Sequence, residues 1–140
     1  MEKHELIQMA LKARTYAYTP YSGFQVGAAL LCKDGTVYTG CNIENAAFSP
    51  TNCAERTAFF KAVSEGKMEF EAIAVVGAPA GKEPNEVCAP CGVCRQVMME
   101  FCNPETFRII LGKADLTGEE YTLKEILPLG FSGDGVSRAK

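Results

Sequence analysis

Cys53 and the pair Cys91 and Cys94 lie far apart in the chain, yet their side chains share a chemistry that calls for convergence. Thiolates are the donors zinc prefers, and a shared ion gathers them into one tetrahedral shell. A fold that uses them together must bring Asn52-Cys53-Ala54-Glu55-Arg56 against Pro90-Cys91-Gly92-Val93-Cys94. Three donors leave one tetrahedral position open, the mark of a catalytic rather than a structural metal. Glu55, two residues past the first donor, is close enough to handle protons on a water in that position. The pattern implies a hydrolase that carries one zinc per chain.

Local geometry supports the same grouping. If Pro90 precedes a helix, Cys91 and Cys94 lie on one face of its first turn. Cys53 takes the matching place at the start of an earlier helix, so two positive helix ends favour the thiolate form. Three thiolates around Zn²⁺ leave a formal charge of about −1, which weakens the Lewis acid. A guanidinium that donates hydrogen bonds to sulfur offsets it, and of the adjacent Arg56 and Arg95, Arg56 is the expected donor. Two other readings stand beside this one. A closed structural site recruits Cys88 as fourth ligand, but Cys88 precedes Ala89-Pro90, outside the predicted helix, and a closed site gives Glu55 no task. A redox pair Cys91/Cys94 leaves Cys53 idle. Cys32, Cys41 and Cys102 read as inert buried thiols, and His4, the one histidine, as a solvated side chain.

Apolar spacing predicts a helix over residues 5–18, strands over 25–32 and 36–43 joined at Asp34-Gly35, and an irregular stretch over 45–52. A helix over 53–65 stops at Gly66, and a buried strand covers 70–77. A loop over 79–90, a helix over 91–102, a strand over 106–111 and a short helix over 122–127 follow. Helices alternating with strands after a hairpin predict a three-layer α/β domain with a mixed sheet. One catalytic domain is expected over residues 1–131, with a polar, mobile tail over 132–140.

Composition removes several function classes. The net charge of −3, with no cluster of Lys and Arg, argues against a phosphate-backbone partner, so no nucleic-acid polymer is expected. No stretch is apolar enough to span a bilayer, and Met1-Glu2-Lys3-His4-Glu5 lacks the layout of a secretory signal. A cytoplasmic protein without a membrane partner is expected. Seven cysteines cannot all pair within one chain, and in a reducing compartment they are ligands or free thiols.

Beyond Cys53-Ala54-Glu55 and Pro90-Cys91-Gly92-Val93-Cys94, longer blocks complete a resemblance. Phe24-Gln25-Val26-Gly27-Ala28-Ala29, Gly40-Cys41-Asn42-Ile43-Glu44-Asn45-Ala46, Cys53-Ala54-Glu55-Arg56-Thr57-Ala58 and residues 90–97 are similar to the small homotetrameric, zinc-dependent cytidine deaminases. The likeness runs from about Leu6 to Phe131. It implies a three-layer α/β/α sandwich with a five-stranded mixed sheet. It also implies hydrolysis of cytidine and deoxycytidine to uridine and deoxyuridine with release of ammonia, a step of pyrimidine salvage. By resemblance, Cys53, Cys91 and Cys94 hold the zinc, and Glu55 moves protons from the attacking water to the ring N3 and the leaving amine. Asn42 and Glu44 resemble the pair that hydrogen-bonds the ribose 3′-hydroxyl. Phe24 resembles the aromatic beside the pyrimidine, and the backbone of Ala54 a contact to the base. Phe131 resembles an aromatic that reaches into a neighbouring subunit's pocket. Phe48 stands where family members often have tyrosine, which keeps packing and removes a hydroxyl. The alternative on the same fold is a deaminase of another small nucleoside or base.

Overall fold

The computed structural model describes residues 1–135. A five-stranded sheet runs through its centre in the order β2-β1-β3-β4-β5. Its strands are β1 (Phe24–Cys32), β2 (Val37–Cys41), β3 (Phe70–Pro79), β4 (Arg108–Gly112) and β5 (Gly118–Thr122). The helices are α1 (Lys3–Arg14), α2 (Ala54–Ser64), α3 (Gly92–Phe101) and the short α4 (Leu123–Ile126). β3 and β4 are parallel, joined across α3, and every other neighbouring pair is antiparallel. The mixed sheet expected from the alternation, with the five strands expected from the resemblance, is therefore present.

The continuous apolar run of β3 has a simple cause: both faces of this central strand are covered. Ile73 and Val75 face a core with Phe59 of α2, Met98 of α3 and Phe107. Ala72, Ala74 and Val76 face the opposite core, formed with Leu6, Ile7 and Ala10 of α1. In the first core the rings of Phe59, Phe70, Phe101 and Phe107 pack with centroids 5.1–6.5 Å apart. Burying each such ring contributes roughly 1.5–3 kcal/mol before packing terms.

Two glycines let helices sit close on the sheet. A Cβ on Gly27 of β1 would lie 2.0 Å from the Ala10 carbonyl oxygen in α1. A Cβ on Gly40 of β2 would lie 2.4 Å from the Ala54 carbonyl oxygen and 2.7 Å from the Ala58 nitrogen in α2. The helix that begins at the candidate ligand Cys53 is thus seated directly on β2.

The structure corrects two boundaries and adds one strand. The first helix ends at Arg14 rather than Tyr18. The Thr15 hydroxyl turns back onto the Lys12 carbonyl (2.7 Å), and the Tyr18 N–H donates to the Asn42 carbonyl (3.0 Å), so the chain leaves the helix to run beside Ile43. The second strand is shorter than residues 36–43, and Ile43 forms isolated bridges to Tyr18 and Asn52 instead. β5 escaped the periodicity reading altogether. Gly118-Glu119-Glu120-Tyr121-Thr122 shows no apolar alternation because it is an edge strand, where charge is tolerated and protects the exposed ladder.

Of the tail expected over residues 132–140, Gly133–Gly135 form one 3-10 turn, and residues 136–140 lie outside the described residues. Among the described residues no helix is long and apolar enough to cross a membrane.

Candidate active site

Cys53 caps the N-terminus of α2 and Cys91 that of α3, while Cys94 lies in the first turn of α3. Two helix starts therefore converge, as the spacing predicted. The sulfurs of Cys53 and Cys91 are 3.9 Å apart and those of Cys91 and Cys94 3.6 Å apart, with all three within 4.8 Å of one another. A tetrahedral ion with zinc–sulfur bonds of about 2.3 Å separates its sulfurs by about 3.8 Å. The trio fits zinc by donor type and by spacing. All seven cysteines are free thiols.

Cys88 does not join the trio. Its sulfur packs over Gly77 beside the ring of Phe24: a Cβ on Gly77 would meet Cys88 Sγ at 2.9 Å and Phe24 Cε1 at 3.0 Å. Burial, with the charges of Glu55 and Cys53, pushes the Cys88 thiol up to about 11. Its sulfur is not among the three that gather at metal spacing. Burial likewise raises Cys32, Cys41 and Cys102, the three cysteines expected to be inert.

The charge of the sulfur cluster is arranged, not spread evenly. A hydrogen bond from the Cys94 side chain, and then the Arg56 guanidinium, bring the Cys53 thiol down to about 5 against the opposing effect of burial. Cys94 moves upward, through that same bond to Cys53 and through burial. Arg56 Nη2 donates to Cys53 Sγ at 3.3 Å, the contact expected of it. Arg56 Nε is buried without a partner. Arg95 points elsewhere, with its guanidinium on the carbonyls of Pro90 and Ile126, where it fastens the loop before α3.

Glu55, in the first turn of α2, is only 4% exposed and is the one buried charged side chain among the described residues. Burial pushes its carboxyl up to about 7, and the negative Cys53 adds to the effect. A carboxyl poised near neutrality can both take and return a proton. Ala54, between Cys53 and Glu55, is fully buried, so its backbone is fixed at the base of the site.

The predicted sugar-reading residues are held by β1 and the turn before it. Asn42 accepts a hydrogen bond from the Val26 N–H and donates one to the Phe24 carbonyl, both 2.9 Å, continuing the ladder of β1 with its side chain. Glu44 accepts from the N–H groups of Tyr21 (2.9 Å) and Ser22 (3.1 Å) and from the Ser22 hydroxyl. Ser22, foremost, and the Tyr21 amide hold its carboxyl below the ordinary value. Ile43, between them, pairs with Asn52 in both directions at 2.9 Å, which sets this segment beside the residue preceding Cys53. Thr57 Oγ1 bonds the carbonyls of Cys41 and Cys53 at 3.1 Å each, locking the first turn of α2 to the end of β2.

The remaining candidates are less enclosed. Phe24 heads β1, partly exposed. Phe48 adopts φ 61°, is 68% exposed, and meets the ring of Tyr21 edge-on at 5.9 Å. Phe131 is 64% exposed, and its carbonyl accepts from Gln96 Nε2 at 2.9 Å. The sequence reading assigned no role to Ser22 or Thr57. Their partners lie across the fold, and neither residue belongs to a spacing pattern that announces such a contact.

Comparison with known proteins gives a consistent result. The family model described as "Cytidine and deoxycytidylate deaminase zinc-binding region" matches residues 1–110. A cytidine deaminase of Sporosarcina psychrophila is 52% identical over 140 residues, 99% of this chain and 98% of that protein. One of Halalkalibacterium halodurans is 50% identical over 137 residues, 98% of this chain and 99% of that protein. Among solved structures, the cytidine deaminase from Burkholderia pseudomallei superposes with a TM-score of 0.84 at 47% identity, covering 94% of this chain and all of that one.

Proposed function

The chain belongs to the cytidine deaminase family, and on that premise we propose that it hydrolyses cytidine and deoxycytidine to uridine and deoxyuridine, releasing ammonia. The observation that carries this reading is the thiol trio at zinc spacing with a buried carboxyl two residues past its first member. Cys53, Cys91 and Cys94 would hold the metal. When bound, zinc supplies a Lewis acid that lets a water lose its proton near neutral pH.

The rest of the chemistry belongs to the chain. Glu55 accepts the proton of the attacking water as a C4–O bond forms, and gives it to the ring N3. Glu55 then carries the second proton from that oxygen to the amine as the C4–N bond breaks, and the amine leaves as ammonia. Its carboxyl, brought up to about 7 by burial, suits both directions of transfer. Arg56 steadies the negative charge at Cys53. Asn42 and Glu44 read the sugar, Phe24 packs beside the pyrimidine, and the backbone at Ala54 contacts the base. Glu44, held ionised, would repel a 3′-phosphate, which favours free nucleosides over polymers. Residues 1–131 form the catalytic domain, acting in the cytoplasm as a homotetramer. The exposed rings of Phe48 and Phe131 support that assembly, with Phe131 reaching a neighbouring pocket.

The test is zinc content together with the loss of cytidine absorbance, for the native chain and Glu55→Gln. One zinc per chain in both, with turnover reduced on the order of a thousandfold or more in the variant, is the expected result. A Glu55→Gln enzyme that keeps its rate contradicts the reading.

A further inference from the structure

A carboxylate offers about four lone-pair positions for hydrogen bonds. In Glu44 three are taken, all by two consecutive residues. Oε1 accepts from the Tyr21 and Ser22 N–H groups at 2.9 and 3.1 Å, and Oε2 accepts from the Ser22 hydroxyl. Two successive amides aimed at one oxygen form an anion cradle. The Ser22 oxygen in turn accepts from the Phe24 N–H at 3.0 Å. With that amide on its lone pair, the hydroxyl is oriented to place its proton on Glu44. One acceptor position remains, on Oε2.

Asn42 is held in the same manner by Phe24 and Val26, which leaves one of its side-chain N–H bonds free. The pair therefore offers an acceptor from Glu44 and a donor from Asn42. A hydroxyl, which both donates and accepts, answers both. A hydrogen answers neither, and a phosphate oxygen answers only Asn42.

We propose that Ser22 is a positioning residue that sets sugar specificity, by fixing the Glu44 carboxylate so that its one free acceptor site faces the nucleoside 3′-hydroxyl. The role rests on the deaminase reading above. Ser22 itself is exposed, and the turn around it has other supports: Gly23 N–H to the Thr19 carbonyl at 3.0 Å and Ala80 N–H to the Gly23 carbonyl at 2.7 Å. Removing the hydroxyl therefore leaves the turn folded and Oε1 in its amide cradle, while Oε2 loses the one bond that orients it.

The test is steady-state kinetics of the zinc-loaded enzyme on cytidine and on 3′-deoxycytidine, for the native chain, Ser22→Ala and Ser22→Thr. Ser22→Ala should raise KM for cytidine about tenfold, the loss expected when a charge-assisted bond is no longer oriented, with kcat changed less than about twofold. KM for 3′-deoxycytidine, which has no hydroxyl for Glu44 to read, should not change. Ser22→Thr keeps the oxygen at an exposed position, so it should restore the native KM for cytidine. Equal losses on both substrates, no loss on either, or a threonine variant as impaired as alanine would each overturn the role of Ser22. A native enzyme that does not turn over cytidine would instead overturn the deaminase reading itself.

Discussion

Three thiolates on one dication pose a problem of charge, and Arg56 meets it with a hydrogen bond to Cys53. Partners of this kind, one step behind a metal ligand, typically carry about 10–100-fold in metal affinity. Arg56→Ala should therefore weaken zinc binding by about that factor, as read by competition with a chromophoric chelator; unchanged affinity and turnover would show that the contact has no such role. The same titration has a pH dependence whose sign follows from Cys94. Its thiol is pushed above the ordinary value by the bond to Cys53 and by burial, and it must lose its proton to bind metal. Apparent zinc affinity should fall as pH is lowered from about 8 to about 6, by about tenfold per pH unit for each proton displaced. A flat profile would mean that no proton is exchanged. The sulfurs and Glu55 were legible in the sequence because donor chemistry and short spacing identify themselves. Cys88 was set aside for lying before Pro90, and its sulfur packs over Gly77 rather than with the trio. Ser22 was not legible: its bond to Glu44 spans the interval between a turn and a strand end, and serine in a glycine-containing loop is ordinary turn chemistry.

At the level of elements, the site is two helix starts pressed against one sheet. Gly40 allows α2 its close approach, and Gly27 does the same for α1. Gly40→Ala would place a methyl 2.4 Å from the Ala54 carbonyl, so α2 must shift with Cys53 and Glu55 aboard. Overpacking of this kind costs about 1–3 kcal/mol, and here zinc affinity and kcat should fall with stability. Gly27→Ala disturbs α1, which carries no ligand. It should lower the denaturation midpoint while sparing zinc affinity. Equal effects on zinc by the two variants would contradict the assignment of α2 as the ligand-bearing helix. Most elements were readable from period and punctuation: Gly66, with φ 89°, ends the α2 segment where the sequence said it would. The exceptions have physical reasons. β5 hides because an edge strand needs no apolar face, and α1 was overextended because Tyr18 pairs with the Asn42–Ile43 segment, a tertiary contact that no local pattern reports.

On the scale of the whole molecule, a chain of 140 residues has little surface with which to wall off a nucleoside, and the rings of Phe48 and Phe131 face outward. Neighbouring subunits in the proposed tetramer would supply the missing wall. Specific activity should then fall when the protein is diluted below its dissociation point, in step with the species seen by sedimentation; a fully active monomer would end that idea. The central claim concerns one metal shell, and X-ray absorption at the zinc edge of the loaded native protein tests it most directly. Three sulfur scatterers at about 2.3 Å and one light oxygen or nitrogen neighbour are predicted. Four sulfurs, with Cys88 drawn in and no position left for water, would contradict it.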